Sequence, residues 1–413
     1  MEVCLVVCLR KKIRMNKASF LYLLVFLTVV ACDNSSNVEP ASDSYFLKFY
    51  GQTGYQEGVD VKETSDGGFV IAGNSIRTFG GQSDYLLIKV DARGNQVWQQ
   101  TYDFGGEDRM TEVVVANNEY YIAGTSTVSN TNKIMLVHVD ANGAEIDNYV
   151  VVSSDLTYNY ICTGLTYSSS GNFIVVGSTD SPAGGSPAEN SIMAIIDNNW
   201  TGEEIKYSGI SGQPVTYVKA YEILDTQTQK PAYLAFGYKE ENGGFQMGLD
   251  QYDELLNSPN SNNYITASDA KTIDVILDEE GSYLMIGAAN DLSVIVSVNS
   301  APVSGYDKYF VNTGYEIGFT RLLANGVAKI KEGEFAVSGN LLVENSDITK
   351  ATIFNSNSNG SIDWIRQFGT TSSYSAGKVR VISDGSIVFT GTAELESQTK
   401  AFLVKMRNNG EMK

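Results

Sequence analysis

An all-β fold of many short antiparallel strands is what this sequence predicts, and three observations predict it. Aromatic and glycine residues are frequent (24 Tyr, 17 Phe, 39 Gly) while proline is scarce at 7, a balance that favours strands joined by tight turns. A short apolar strand closed by glycine recurs seven times along the chain. Each recurrence is flanked by the same order of turns and apolar runs, the mark of a repeat architecture.

The recurring strand reads FVIAG (69–73), YYIAG (120–124), FIVVG (173–177), YLAFG (233–237), YLMIG (283–287), FAVSG (335–339) and IVFTG (387–391). Its glycines are separated by 51, 53, 60, 50, 52 and 52 residues, and the long interval carries the insertion DTQTQKP (225–231). Ahead of it comes a turn such as SDGG (65–68) or SDGS (383–386), and ahead of that an earlier strand such as VVVA (113–116). After the glycine comes a variable polar loop, then a third strand such as DYLLIKVD (84–91) or KIMLVHVD (133–140). This turns at DARGN (91–95) or DANGA (140–144) into a fourth, such as QVWQQTY (96–102). Four strands of about six residues with their connections fill about 50 residues, the size of one propeller blade.

The ends of the chain complete the pattern. The last repeat stops after its third strand, while an orphan strand, YFLKFYGQTGYQEG (45–58), precedes the first and resembles WIRQFGTTSSYSAG (364–377). An N-terminal strand that completes the last blade removes the open edges of a sheet array. The expectation is therefore a seven-bladed β-propeller over residues 44–413, of four-stranded antiparallel blades.

Residues 1–43 read as a processing and tethering segment. SFLYLLVFLTVVA (19–31) is an apolar run behind Lys17, too short for the roughly 20 residues of a membrane-spanning helix and suited to a signal peptide. It ends in small residues before Cys32, as lipoprotein signals do, so Cys32 is the expected lipidation site and Met15 the expected start. Residues 32–43 then form the lipidated cysteine and a polar tether.

Composition excludes several functions. The formal net charge is −19, and residues 1–31 hold five of the basic residues and one of the acidic ones, so the remainder carries −23. That argues against nucleic acid and against a polybasic membrane contact, which leaves the lipid as the membrane anchor. Cys162 and His138 are the only thiol and imidazole beyond Cys32, so neither a disulfide scaffold nor a Cys/His metal centre is expected.

The combination of DGGF-x-x-A-G (66–73) with D-x-x-G-N-x-x-W-x-x-T-Y (91–102) resembles the propeller-repeat lipoproteins common in Bacteroidota. The resemblance spans nearly the whole chain after Cys32 and is clearest over 45–125 and 360–410. It implies an outer-membrane or surface lipoprotein and carries no catalytic residues with it.

Asp91-x-x-Gly94-x-x-x-Trp98 and Asn357-x-x-Gly360-x-x-x-Trp364 are similar to the tryptophan-docking motif of quinoprotein propellers, where the tryptophan packs between blades. Here Trp98 and Trp364, with Phe46 in the equivalent place, are read as packing, and no cofactor is expected. Asp91 and Asp140 offer single carboxylates at short turns, too few for calcium, so no metal is expected. His138 shares its strand position with Lys89 and Lys405 and reads as an outward polar site; Cys162 reads as a small core residue. Three blade-to-blade loops carry Tyr-x-x-Gly, at Tyr55, Tyr315 and Tyr374, and beside the long loops 74–83 and 178–191 they form a candidate aromatic rim for a ligand. Asp60, Glu112 and Asp274, with Lys329, Lys378 and Arg380, alternate with apolar residues on the first strands and are expected to line the channel.

The functional expectation is a lipid-anchored binder of a glycan, peptide or protein partner at the channel face, with no catalytic residue assigned. The alternatives are an enzyme acting on an extracellular polymer with channel carboxylates, and a scaffold subunit of an envelope complex.

Overall fold

The computed structural model describes residues 44–412 except 153–156, 182–189, 209–214, 226, 242, 258–260, 265–269, 279–280, 290–291, 299–305, 313–320 and 343–345. Met15, Cys32 and Tyr315 lie outside the described residues. Among those described there are 28 strands, β1 to β28 in chain order, and no helix.

The strands sort into sets of four. β2 (Tyr55–Glu63), β3 (Phe69–Ile76), β4 (Ser83–Val90) and β5 (Gln96–Tyr102) follow one another as antiparallel neighbours. The same order recurs in β6–β9 (from Asp108 to Val150), β10–β13 (Tyr160 to Ser208), β14–β17 (Val215 to Tyr264), β18–β21 (Lys271 to Asn312) and β22–β25 (Arg321 to Phe368). The remaining strands are β26 (Tyr374–Val381), β27 (Ile387–Leu395) and β28 (Gln398–Met406). On β28 lies β1 (Phe46–Tyr50), antiparallel from Phe46↔Lys405 to Tyr50↔Ala401. A single parallel bridge, Tyr55↔Thr399, also links β28 to β2.

The core is divided between the sheets. One apolar cluster joins Val70, Ala72, Tyr85 and Leu87 to Val113, Ile122 and Val137 of the following sheet. Comparable clusters lie between each later pair of successive sheets. A further one joins Val388, Ala401 and Leu403 to Val61, Ile71 and Leu86, with Phe46 and Tyr50 of β1 inside it. Third strands are covered on both faces: β4 is buried along its whole length, whereas β5 is largely open to solvent. That explains why the third strands read as continuous apolar runs while the fourth are polar.

The repeat glycine has a steric cause. Every first strand carries a bulge beside it, for example between Gly58 and Asp60 opposite Gly73 and Ala72. The bulge presses a backbone carbonyl against the glycine, so that a Cβ at Gly73 would stand 1.7 Å from the Glu57 oxygen and one at Gly391 2.1 Å from that of Ser375. No side chain fits there without parting the two strands. Gly73→Ala is therefore expected to cost about 3 kcal/mol, read as a lowered denaturant midpoint at unchanged slope.

The turns between third and fourth strands are equally regular. Asp91, Asp140, Asp197, Asp253 and Asn357 each accept, on Oδ1, the backbone N–H groups two and four residues on, at 2.7–3.2 Å. The Oδ1 atoms of Asp91 and Asp140 thus close their turns. Onto these turns dock the aromatics: Phe46 lies against Gly94, Trp98 against Gly143 and Trp364 against Gly410. Trp98 Nε1 donates to the Ala141 carbonyl at 3.1 Å, and the Tyr50 and Tyr102 hydroxyls donate to the carbonyls of Gly94 and Gly143 at 2.8 and 2.9 Å. All three rings are packing residues, each reaching from a fourth-strand position to the next sheet's turn.

Candidate functional site

The first strands of the sheets are β2, β6 (Asp108–Ala116), β10 (Tyr160–Tyr167), β14 (Val215–Leu224), β18 (Lys271–Leu277), β22 (Arg321–Lys331) and β26. Residues from all seven line one cavity of about 710 Å³, Lys62, Val114, Thr166, Tyr221, Ile276, Lys329 and Arg380 among them.

The bulge sets the side chains that cross the middle of these strands. The residue following the bulge is Asp60 in β2, Glu112 in β6, Lys219 in β14 and Asp274 in β18, and glycine in β10 and β22 (Gly164 and Gly326). Each acid accepts a backbone N–H of a neighbouring first strand: Val113 to Asp60, Leu165 to Glu112 and Val327 to Asp274, at 3.1–3.4 Å. The strand order is thereby repeated as a chain of carboxylate-to-backbone contacts.

Cations join the acids into one network. Arg380 lies 2.7 Å from Asp60 and 3.6 Å from Asp274. Lys62 lies 3.5 Å from Asp60 and 3.4 Å from Glu112, Lys219 pairs with Glu112, and Lys378 lies 2.9 Å from Asp274. Asp60, Glu112 and Asp274 are all buried, so their charges are held by these partners rather than by water. A separate pair, Lys329 to Asp278 at 3.0 Å, stands at the cavity wall.

Burial alone would raise the Glu112 carboxyl, but Lys219 and Lys62 override it and hold its pKa below the ordinary range. Burial likewise opposes ionisation of Asp274, and Lys378 with Arg380 brings its pKa down. A carboxylate held ionised at neutral pH is a poor proton donor. Depressed carboxylates stabilise the fold above their unfolded values, 4.5 and 3.8 here, and that contribution fades as pH falls toward the lower folded values. Denaturant midpoints are expected to hold between pH 7 and 5 and to fall below about pH 4.5, with a shallower fall in Glu112→Gln.

The predicted tyrosines stand at the other end of the same strands. Tyr55 pairs with Ile76 at the start of β2, and its half-buried ring lies 5.9 Å from Phe79, which is 88% exposed. Tyr374 opens β26, with its half-buried ring between Phe49 at 6.2 Å and Phe402 at 6.0 Å. Neither lines the cavity, whose walls are the later halves of the first strands and the turns after them. Of the segment 74–83, residues 77–82 form the connection from β3 to β4 and lie at the tyrosine end.

The shared His138, Lys89 and Lys405 position corrects the sequence reading of an outward polar site. Lys89 and Lys405 are buried, paired with Asp66 at 2.8 Å and Asp384 at 2.9 Å, because the preceding turn folds an acid over the third strand. His138 meets Glu119 at 2.8 Å and stacks on Tyr121. Cys162 is a buried core residue whose thiol burial pushes up to about 12.

Sequence reasoning missed Lys62 and Lys219. Asp60, Gly164, Asp274, Gly326 and Lys378 each stand thirteen residues before the repeat glycine, and Glu112 twelve. That offset marks the first-strand residues beside the bulge, but the 225–231 insertion moves Lys219 to eighteen.

No protein-family model matches the chain, and no curated protein matches it in sequence. Solved structures do resemble it. Puromycin hydrolase, as an S511A mutant complexed with PGG, matches at TM-score 0.50 and 10% identity over 83% of this chain and 50% of that one. The Dos1 propeller matches at 0.49 and 9% over 89% and 97%, and virginiamycin B lyase from Staphylococcus aureus at 0.48 and 10% over 87% and 99%. At such identities the likeness concerns the fold alone. That fold is an all-β array of repeated four-stranded antiparallel sheets.

Proposed function

We propose that residues 44–413 are a seven-bladed propeller closed by β1, tethered to a bacterial envelope membrane through lipidated Cys32, and that it binds a sugar or peptide segment in its channel cavity. Closure is supported by the β1–β28 ladder, by the docking of Phe46 on Gly94, and by the Asp60–Arg380 pair between first and last sheets. Binding rests on one observation, the cavity of about 710 Å³ lined by β2, β6, β10, β14, β18, β22 and β26. That volume lies in the range of about 300–1,000 Å³ typical of small-ligand sites. Its wall offers polar and charged groups (Lys62, Thr166, Lys329, Lys331, Ser383) beside Tyr167 and apolar aliphatics. The non-enzymatic reading is favoured because Glu112, the acid of this network in the cavity wall, is held ionised by Lys219 and Lys62 against the pull of burial.

Glycan and peptide arrays probed with the purified protein test this reading. Lys331→Ala, at a cavity residue whose side chain is 66% exposed, is expected to weaken a hit about tenfold. Tyr55→Ala serves as the control at the far end; loss of binding there alone would move the site to the tyrosine rim. In cells, Cys32→Ser is expected to release the protein from membranes, and unchanged retention would remove the lipid anchor from the proposal.

A further inference from the structure

The ion network beside the channel cavity is unbalanced. Asp60, Glu112 and Asp274 meet four cations, Arg380, Lys62, Lys219 and Lys378, so one positive charge has no acid of its own. Lys62 is the loosely held member. It stands 3.5 Å from Asp60 and 3.4 Å from Glu112, and each of those acids has a closer cation. Its side chain is 23% exposed and forms part of the cavity wall. Burial pushes the Lys219 ammonium below its ordinary value; Glu112 opposes that shift and Lys62 adds to it, as expected where cations outnumber acids. A surplus charge away from bulk water costs free energy until a counter-charge reaches it.

The wall repeats the imbalance. Among the described residues it holds five Lys or Arg against three Asp or Glu, in a chain that has 29 against 48. A cleft biased in this way concentrates anions. Thr166, next along β10 from Leu165, adds a wall hydroxyl without a hydrogen-bond partner among the described residues, suited to donate to an oxygen of a bound anion.

The same strands are poorly suited to a peptide. An extended peptide binds by adding to a sheet edge, and β6, β10 and β22 stand at the ends of their sheets. Their Val113, Leu165 and Val327 N–H groups, however, already donate to Asp60, Glu112 and Asp274. A saccharide needs no backbone ladder. The exposed Ser383 and the half-buried Tyr167 ring in the wall offer a hydroxyl and an aromatic surface of the kind sugars use. Building on the channel binding proposed above, we infer that its ligand is an acidic saccharide whose carboxylate or sulfate meets Lys62. The anion balances the network, and the sugar hydroxyls meet the polar groups of the wall.

The test applies the purified protein to an array of neutral, uronate-bearing and sulfated oligosaccharides beside acidic peptides. Acidic saccharides are expected to bind in preference to their neutral counterparts. Calorimetry then compares the strongest hit with the same saccharide after its carboxylate is reduced or its sulfate removed. Loss of the anion is expected to weaken binding at least about tenfold, as loss of a hydrogen bond to a charged group does, and to matter little in Lys62→Met. That variant leaves three acids with three cations, so its Tm is expected to stay close to the native one. If it does not fold, the comparison in the native protein decides. Neutral saccharides that bind as well as acidic ones overturn the anion site and leave channel binding standing. Undiminished discrimination in a folded Lys62→Met overturns the role of Lys62, and binding of acidic peptides alone overturns the saccharide. No binding on the array overturns both the acidic saccharide and the channel binding on which it rests.

Discussion

Deleting residues 44–51 is expected to abolish cooperative unfolding or to cause aggregation. The deletion removes β1 from β28, exposing the backbone N–H and C=O groups now paired from Phe46↔Lys405 to Tyr50↔Ala401. An edge of that kind, beside an apolar face, recruits other strands. It also takes Phe46 and Tyr50 out of the cluster that joins the last sheet to the first, and uncaps the Gly94 carbonyl that Tyr50 now satisfies. Two losses therefore coincide at one seam, a sheet edge and an interface. Differential scanning calorimetry reads the result. A truncated protein that melts in one transition at the full-length temperature would show that β1 does not close the ring.

Arg380→Met is expected to destabilise the fold by about 3–5 kcal/mol, the usual consequence of stripping a buried ion pair of one partner. Arg380 serves two acids at once, Asp60 at 2.7 Å and Asp274 at 3.6 Å, and Asp60 is 0% exposed. Lys62 still faces Asp60 at 3.5 Å and Lys378 faces Asp274 at 2.9 Å, so the network is weakened rather than emptied. Adding Asp60→Asn to Arg380→Met is expected to recover part of the loss, because it removes the charge left without its partner. Urea midpoints of the two single variants and the double variant measure the coupling. Additive effects would mean that the pair contributes nothing across the seam.

Much of the fold was legible in the sequence because each repeat states the same local physics. The FVIAG-type strand ends in glycine because a bulge carbonyl leaves no room for a Cβ, and the DARGN-type turn carries aspartate because Oδ1 closes it. Such constraints act within a few tens of residues and so appear as spacing. The pairing of Phe46–Tyr50 with β28 was also readable, since FLKFY repeats the positions of WQQTY in β5, with the aromatic docking and the tyrosine hydroxyl in the same places.

The sites were less legible. Asp60, Glu112 and Asp274 announced themselves as charges among apolar residues, but which cation meets which acid depends on how the first strands converge. Arg380 reaches Asp60 across 320 residues of chain, and Lys219 reaches Glu112 across 107. The cavity lies at the tight-turn end of the first strands, where their later halves and the turns after them supply its walls. The sequence by itself determined the repeat and its turns, since those rest on local sterics and hydrogen bonding. Tertiary structure alone decided which charges are buried and paired, because desolvation and Coulomb attraction depend on distances that the chain order does not contain.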